Sequence, residues 1–449
     1  MKKIIIAMIV MALTVSLMGC GSKEGTNTTP GNNNNNDVSP GNTDEEITLR
    51  MSWWGGDARH EATLEVIKLF EEAYPHITVI PEYTAFTGHF ERIAAQLTAQ
   101  DEPDIMQINF NWYYGFSPDG NGFYDLSTLE NLDLSNWPQE SFEVLTINGK
   151  IQGIPISIGA RGFVFNQTTY EQAGVPIPET WDDLMAAGRT FRDVLGPDYY
   201  SLGNVRHDYE IPHIMFAYLA QKTGKDIFTN DRISYTLEEL TSGFDFLQDL
   251  IDNNVIPDYH ADSAVKNQEN PNWISGRYAG IFNWNSNNNI FENNIDPALN
   301  ATIIAVPQIK LGPNQLHSGG FDKILQAWSI SANTPYPEES ALFLEFISSD
   351  KDAVIAHGLN RGIPLNRVAE QILADAGMLV GINYDAYVLA SEITDVYSFH
   401  PFFEDNTVRS AIGDVIERFI MLEGSFASRD AAEELIRNTN RAVSEAMEG

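Results

Sequence analysis

The stretch ITLRMSWWGGDAR, residues 47–59, determines how the fold begins. Apolar and polar residues alternate over 47–51, which predicts a strand with one buried face. The glycine pair that follows lets the backbone turn closely, and Asp57 is placed to cap a helix. Because adjacent residues of a strand point to opposite faces, one of Trp53 and Trp54 can belong to the core while the other has a different role.

The alternation of strand and helix continues along the chain, and it predicts an α/β fold with mostly parallel sheets covered by helices. A length of 449 residues exceeds what a single core usually serves, so we expect at least two lobes. The predicted strands are 47–51, 77–80, 104–108, 154–158, 162–165 and 278–284. The predicted helices are 57–73 (apolar face Ala62, Val66, Leu69 and Ala73), 90–97, 180–196, 237–251, 338–348, 408–422 and 430–447.

The composition excludes some partners. The chain carries 62 acidic and 27 basic residues, for a formal net charge of −35. Binding to nucleic acid depends on neutralising phosphates with Lys and Arg, so we expect no nucleic-acid partner. Direct adsorption to an anionic lipid surface is disfavoured for the same reason.

The first 20 residues predict that the chain is exported and then anchored to a membrane by a lipid. A short cationic start is followed by an apolar run over 4–17, which is too short for a comfortable membrane span and fits a secretory signal. The small residue before Cys20, the only cysteine, resembles a bacterial lipoprotein signal. The resemblance implies cleavage after residue 19, a lipid on Cys20 and a location at the outer face of the cytoplasmic membrane. The alternative is an ordinary signal peptide with a free thiol. Residues 20–46 predict a disordered tether.

Motifs for catalysis are incomplete in this sequence. His60-Glu61 begins like a zinc-protease motif but lacks the second His. The polar stretches 283–292 and 119–125 only faintly echo calcium loops, so we interpret them as ordinary loops and expect no metal or cofactor. Carboxylates are abundant, so a glycoside hydrolase pair remains an alternative.

Several segments together resemble the extracellular solute-binding proteins of ABC importers, in particular the sugar-carrying relatives of maltose-binding proteins. The match follows the chain order over nearly all of its length. One departure is Gly280, where the family often has Met. The matching segments are 103–105, 153–155, 163–166, 170–175, 178–184, 275–284, 319–320 and 362–364.

The resemblance implies two α/β lobes that close on a ligand around a hinge of several chain crossings, near Ile158, Ala327 and Ile363. It also implies a monomer that catalyses no reaction and delivers a carbohydrate, an oligosaccharide, to the transmembrane permease subunits of an ABC transporter. Two alternatives are a binding protein for a peptide or polyamine and a secreted glycoside hydrolase. The implied lobes are 47–157 plus 328–362 (N-terminal lobe) and 158–327 plus 363–449 (C-terminal lobe).

A sugar-binding site needs flat aromatic faces beside planar polar groups. In an open α/β sheet such residues belong at the carboxyl ends of strands. We favour Trp54 over Trp53 for the ligand side, and we expect Tyr83 and Phe86 to line one wall. A helix starting at Tyr209 is a weaker candidate. The candidate ligand-binding residues are Trp53, Trp54, Asp57, Arg59, Tyr83, Asn109, Trp112, Arg161, Asn283, Trp284, Asp322 and Arg361.

Overall fold

The alternating stretch at the start of the fold forms strand β1, Ile47–Trp54, and helix α1, Asp57–Ala73, begins two residues later. The computed structural model describes residues 46–448 except 208, 258–264, 266, 307, 394, 399 and 423. The predicted signal segment, Cys20 and nearly all of the predicted tether therefore lie outside the described residues.

The remaining elements follow the predicted alternation, and the strand predicted as two pieces at 154–165 is continuous. The other strands are β2 (Ile77–Thr84), β3 (Ile105–Asn109), β4 (Thr146–Ile147), β5 (Lys150–Ile151), β6 (Ile154–Asn166), β7 (Tyr200–Asn204), β8 (Phe228–Thr229), β9 (Arg232–Ile233), β10 (Tyr278–Trp284), β11 (Ile303–Val306), β12 (Phe321–Ile330) and β13 (Tyr397–Ser398). The other helices are α2 (His89–Ala99), α3 (Tyr113–Phe116), α4 (Gln167–Ala173), α5 (Trp181–Val194), α6 (Glu210–Thr223), α7 (Leu237–Asp252), α8 (Pro271–Ile274), α9 (Asn288–Asn294), α10 (Pro337–Ser349), α11 (Lys351–His357), α12 (Arg367–Asp375), α13 (Ile382–Ser391), α14 (Asn406–Met421) and α15 (Ser428–Glu448).

Among the described residues, nine strands form one mixed sheet in the order β2-β1-β3-β12-β6-β10-β7, with β11 also paired to β6 and β13 to β12. The β2-β1-β3 end is parallel, as predicted. Strand β12 is antiparallel to both β3 and β6, and β10 is antiparallel to β6. The sheet is therefore less parallel than predicted, because β6 and β12 run between its two ends in opposite directions.

Two helix starts test the capping predictions. Asp57 does not cap α1: the cap position is Gly56, which makes no side-chain bond, and Asp57 lies exposed in the first turn. Thr180 forms a capping box at the start of α5, since its hydroxyl accepts from the Asp183 amide and the Asp183 carboxylate accepts from the Thr180 amide.

The buried face of α1 is rotated relative to the prediction. Ala62 and Val66 are buried as expected, but Leu69 is only half-buried and Ala73 is exposed. The larger side chains of Ile67 and Phe70 are buried instead. The buried face of α1 therefore lies about one residue further along the helix than predicted.

The segments predicted to cross between the lobes meet in a buried hydrogen-bond network. The Arg361 carbonyl accepts from Ser157 Oγ at 2.6 Å and from Gln326 Nε2 at 3.0 Å. The Arg361 guanidinium donates from Nε to Gln107 at 3.1 Å and from Nη1 to Thr63 at 2.9 Å. Side chains from β6, β12, β3 and α1 are thus fastened to the segment that follows α11.

Replacing Gly362 in this segment by Ala is expected to destabilise the protein. Gly362 has φ +93°, and an added Cβ would lie 3.1 Å from Ser157 Oγ. We expect G362A to lower the free energy of unfolding in urea by about 2 kcal/mol. The matched control is Gly377→Ala, at φ +68° with no atom within 4 Å of the added Cβ. It should lose about 1 kcal/mol. Equal losses would show that the Gly362 crossing is not crowded.

Candidate functional site

The two tryptophans of the opening stretch lie on opposite faces of β1. Trp53 is fully buried, its Nε1 donates to His60 Nδ1 at 3.1 Å, and its ring packs 5.0 Å from that of Tyr83. Trp54 is 7% exposed and packs 5.1 Å from the Trp112 ring on the other face. Trp53 therefore offers no ring face to a ligand, whereas Trp54 belongs to a different aromatic group.

That group is an aromatic patch, which we define as Trp54, Phe86, Phe90, Trp112 and Phe116. The Phe86 ring stacks on Trp112 at 5.9 Å, and the Phe90 ring stacks on Phe116 at 5.0 Å. Phe86 is 54% exposed and Phe90 is 40% exposed. Contiguous exposed aromatic surface of this kind is typical of a binding site.

His89 lies beneath the aromatic patch and stays neutral. Its ring is buried, and Thr84 Oγ1 lies 2.7 Å from its Nδ1. Burial and, secondarily, the charge of Arg92 lower the pKa of His89 to about 4. The patch therefore has an uncharged polar group at its base at neutral pH.

Tyr83 does not share a wall with Phe86, contrary to the prediction. The Tyr83 ring lies 4.4 Å from that of His60, on the Trp53 side of the sheet, while Phe86 contacts Trp54. The residues follow the same strand but leave it on different sides. Tyr83 is 42% exposed, on a surface separate from the aromatic patch.

Three other candidates in this part of the chain have defined places. Arg59 donates from Nε to the carbonyl of Asn360 at 2.9 Å and from Nη1 to the carbonyl of Trp54 at 3.3 Å, and burial lowers its pKa to about 10. Arg59 therefore links α1 to the segment that follows α11. Asn109 ends β3, half-buried and opposite Gln326 of β12. Asp57 remains exposed.

A second aromatic group surrounds Arg161, which pairs directly with Trp284 across β6 and β10. The guanidinium carbon of Arg161 lies 4.3 Å from the ring centroid of Tyr209, 4.8 Å from that of Trp284 and 5.6 Å from that of Phe282. Trp284 is 6% exposed, and its Nε1 donates to Tyr209 Oη at 3.1 Å. Asn283 is half-buried, and its Oδ1 accepts from the Trp284 amide at 2.8 Å. These contacts hold the indole and the guanidinium side by side.

Lys323 lies between Trp284 and a ring that follows β3. Its Nζ lies 4.5 Å from the Trp284 ring and 5.1 Å from the ring of Phe110, which follows β3. It forms a buried ion pair with Glu404, which also accepts from Tyr209 Oη at 3.5 Å. Trp54, Trp112 and Trp284 belong to one continuous apolar cluster.

Asp322, a predicted site residue, points to the opposite face of β12 from Lys323. It lines a cavity of about 140 Å³ with Ile158, Leu365 and Tyr387 of α13. Burial raises the pKa of Asp322 to about 6. Arg361, also predicted, is 1% exposed within the buried hydrogen-bond network described above. The structure thus brings neither side chain to the aromatic groups.

The surroundings of Arg161 are electropositive. Burial and then the charges of Arg161, Lys323 and Arg409 hold the pKa of His213 well below its ordinary value, although its hydrogen bond to the Tyr209 carbonyl acts in the other direction. Carboxylates nearby are Glu404, paired with Lys323, and Glu210, 3.5 Å from Arg206. This part of an acidic protein therefore favours a neutral or anionic ligand.

Sequence reasoning missed Lys323, Phe110 and Glu404, and ranked Tyr209 low. Adjacent residues of β12 point to opposite faces of the sheet, so alternation was a usable signal for Lys323. Choosing Asp322 selected the face away from the Trp284 ring. No local pattern identifies Glu404, which reaches the site from the segment before α14. Within the described part of the chain, no group of three His, Cys, Asp or Glu side chains is placed to hold a metal ion. The described helices also include none that is long and apolar enough to cross a bilayer.

Comparison with known proteins places this geometry in context. The model of the family described as "bacterial extracellular solute-binding protein" matches residues 57–354. A solved structure, a periplasmic oligogalacturonide-binding protein from Yersinia enterocolitica in complex with saturated digalacturonic acid, is 34% identical, with a TM-score of 0.78 over 90% of this chain and 100% of that chain. These findings confirm the resemblance and the predicted two-lobed α/β fold.

Two curated relatives match part of the chain. An uncharacterized ABC transporter extracellular-binding protein of Pyrococcus horikoshii is 26% identical over 200 residues, which are 44% of this chain and 46% of the relative. An arabinooligosaccharide-binding protein of Halalkalibacterium halodurans is 24% identical over 229 residues, 47% of this chain and 48% of the relative. The chain thus spans about half the length of the curated relatives it matches.

Replacing Asp322 by Asn is expected to stabilise the protein at neutral pH. The pKa of the Asp322 carboxyl is 3.8 in the unfolded chain and about 6 in the folded protein. The folded state therefore holds the carboxyl proton more tightly than the unfolded chain does. Its contribution to the free energy of unfolding is then complete below pH 3.8 and is lost as the pH rises through about 6. We expect D322N to gain at most about 3 kcal/mol at pH 7.

The measurement is urea unfolding over a series of pH values. The D322N profile should lack the decline that the wild type shows over that interval. Asp57→Asn, at an exposed position, is the matched control and should follow the wild type. Parallel D322N and wild-type profiles would mean that the Asp322 carboxyl is not perturbed.

Proposed function

This chain belongs to the family of bacterial extracellular solute-binding proteins, and we propose that it binds an oligosaccharide and delivers it to the permease of an ABC transporter. The proteins of this family bind solutes and are not enzymes. The proposal concerns which solute the chain binds and how the bound form reaches the membrane.

The observation that carries the proposal is the aromatic patch around Trp54 and Trp112, together with Trp284, which belongs to the same large apolar cluster. Each indole keeps a small exposed part, 7%, 7% and 6%, and the cluster extends from the end of β1 to the end of β10. Indole faces stack on the C–H faces of sugar rings, and rigid aromatic side chains lose little conformational entropy on binding. Several rings in succession suit a ligand of several sugar units.

The relatives support the same class of ligand. The solved Yersinia protein binds an oligogalacturonide, and the Halalkalibacterium relative is named for arabino-oligosaccharides. The Pyrococcus relative is named as the binding component of an ABC transporter, which supports a permease partner.

We propose that delivery depends on closure of the N-terminal and C-terminal lobes, 47–157 plus 328–362 and 158–327 plus 363–449. A ligand that touches the aromatic patch and Trp284 together stabilises the closed form, because only that form makes both sets of contacts. The Arg361 network lies where the predicted crossings converge and supports a hinge there.

Removal of a stacking indole is expected to weaken sugar binding. The purified protein is titrated by calorimetry with maltotriose, arabinotriose and trigalacturonic acid. Trp54→Ala and Trp284→Ala should each reduce affinity for the bound trimer roughly 10- to 100-fold, as the loss of a major aromatic contact does. Trp273→Phe is the control, since Trp273 is fully buried in a separate apolar cluster.

W273F should lower the melting temperature and leave affinity unchanged. Wild-type protein that binds none of the saccharides, or W54A and W284A variants that both bind as well as wild type, would contradict the proposed function.

We further propose that Cys20 carries a lipid that anchors the protein at the outer face of the membrane. In the native host, Cys20→Ser should move the protein from the membrane fraction to the soluble fraction, with immunoblotting as the measurement. A wild-type protein that is already soluble would rule out the anchor without affecting the binding proposal.

A further inference from the structure

Arg161 is a buried cation with no hydrogen-bond or ion-pair partner in the described part of the chain. Its side chain is 3% exposed, and none of its three guanidinium nitrogens has a hydrogen-bond partner among the described residues. No carboxylate of the described chain lies within ion-pair distance of it. Burial of a charge without a partner is costly, so the position calls for an explanation.

The surrounding rings hold the guanidinium in place without satisfying it. Tyr209 and Trp284 lie 4.3 Å and 4.8 Å from its central carbon, close enough for cation–π attraction. Ring faces accept none of the five N–H bonds that a guanidinium offers in a fixed planar fork. Arg161 is therefore oriented in advance, with its donors unused.

Arg361 shows how this protein treats a buried arginine with a structural role. Arg361 is 1% exposed, yet its Nε and Nη1 donate to Gln107 and Thr63, and its ring neighbour Trp328 lies 4.8 Å away. Burial and an aromatic neighbour are common to both arginines. The lack of hydrogen-bond acceptors distinguishes Arg161.

The nearest charges do not neutralise Arg161. Lys323 and Arg409 add positive charge, and together with Arg161 they help depress the pKa of His213. Glu404 is paired with Lys323, and Asp322, which lines the cavity of about 140 Å³ together with Arg161, makes no ion pair with it. The hydroxyls of a neutral sugar could accept hydrogen bonds from Arg161, but only an anionic ligand would also supply the missing counter-charge.

We propose that Arg161 binds a carboxylate of the ligand, so that the protein is a receptor for acidic, uronate-containing oligosaccharides. This inference rests on the proposed function. A carboxylate matches the guanidinium fork with two parallel hydrogen bonds, while Trp284 beside it offers a face to the sugar ring. Both rings stand at the ends of elements, Tyr209 just before α6 and Trp284 as the last residue of β10, where side-chain rotation can open the fork to the ligand.

The test separates the charge of the ligand from its shape. Trigalacturonic acid and trimannuronic acid are each titrated beside the corresponding methyl ester, which keeps the ring and removes the charge. For the acid that binds, we expect the wild-type protein to bind the ester about 100-fold more weakly, as for loss of one partner of a buried ion pair.

Arg161→Gln should bind the acidic trimer about 100-fold more weakly than the wild type and bind the ester within about 3-fold of it. Arg161→Lys keeps the charge but not the fork, and should lose about 10-fold for the acid. Arg409→Gln is the matched control: its guanidinium lies 5.8 Å from the same Tyr209 ring but donates to Asn406, so its effect should stay below about 5-fold.

Thermal unfolding of the unliganded variants gives an independent readout. Arg161→Gln should melt no lower than the wild type, because it removes an unpaired buried charge, whereas Arg361→Gln should melt lower because it leaves its partners unsatisfied.

Equal affinity for acid and ester, or for wild type and R161Q, would overturn the carboxylate inference while sugar binding still stood. A marked fall in the melting temperature of R161Q would also count against it. Failure to bind any saccharide, acidic or neutral, would overturn the proposed function instead.

Discussion

The carbonyl and the guanidinium of Arg361 together fasten four segments from distant parts of the chain to one buried residue. Its carbonyl accepts from side chains of β6 and β12, and its guanidinium donates to β3 and α1. Buried polar groups with partners at defined distances specify one arrangement among many that apolar packing alone would allow. The separation between the aromatic patch and Trp284, and hence any site between them, depends on this arrangement.

Much of the fold was predictable from local patterns. The strand at β1 and the helices predicted at 180–196 and 237–251 each need only neighbouring residues, and the structure confirms them. The antiparallel course of β12 was not predictable in this way, because strand direction within a sheet is set by which segments cross between lobes.

The site was predictable to the level of the strand but less well to the level of the side chain. Trp54 lies on the opposite face of β1 from the fully buried Trp53, as alternation predicted, and its role toward a ligand stays a prediction. Asp322 was chosen on β12, whereas its neighbour Lys323 contacts the rings of Phe110 and Trp284. In both pairs, a shift of one residue along the strand moves the side chain to the other face of the sheet. The burial of Arg161 without acceptors depends on three rings from distant segments, so no sequence pattern could reveal it.

The charge of the whole chain and the charge of the site have opposite signs. A net charge of −35 favours solubility of the chain as a whole. Around Tyr209, by contrast, three arginines lie within 6.0 Å of the ring centre. Local pairing and burial, rather than composition, therefore determine what this site favours.

The shared strands also constrain how the protein could have been assembled. β12 pairs with β3 on one side and with β6 on the other. Expressing either lobe alone would therefore cut through the sheet and expose a long unpaired edge, of the kind that recruits other chains into aggregates. Recombination that exchanges single lobes between relatives should be rare for the same reason, and diversification of the binding surface falls to point changes in loops at the strand ends.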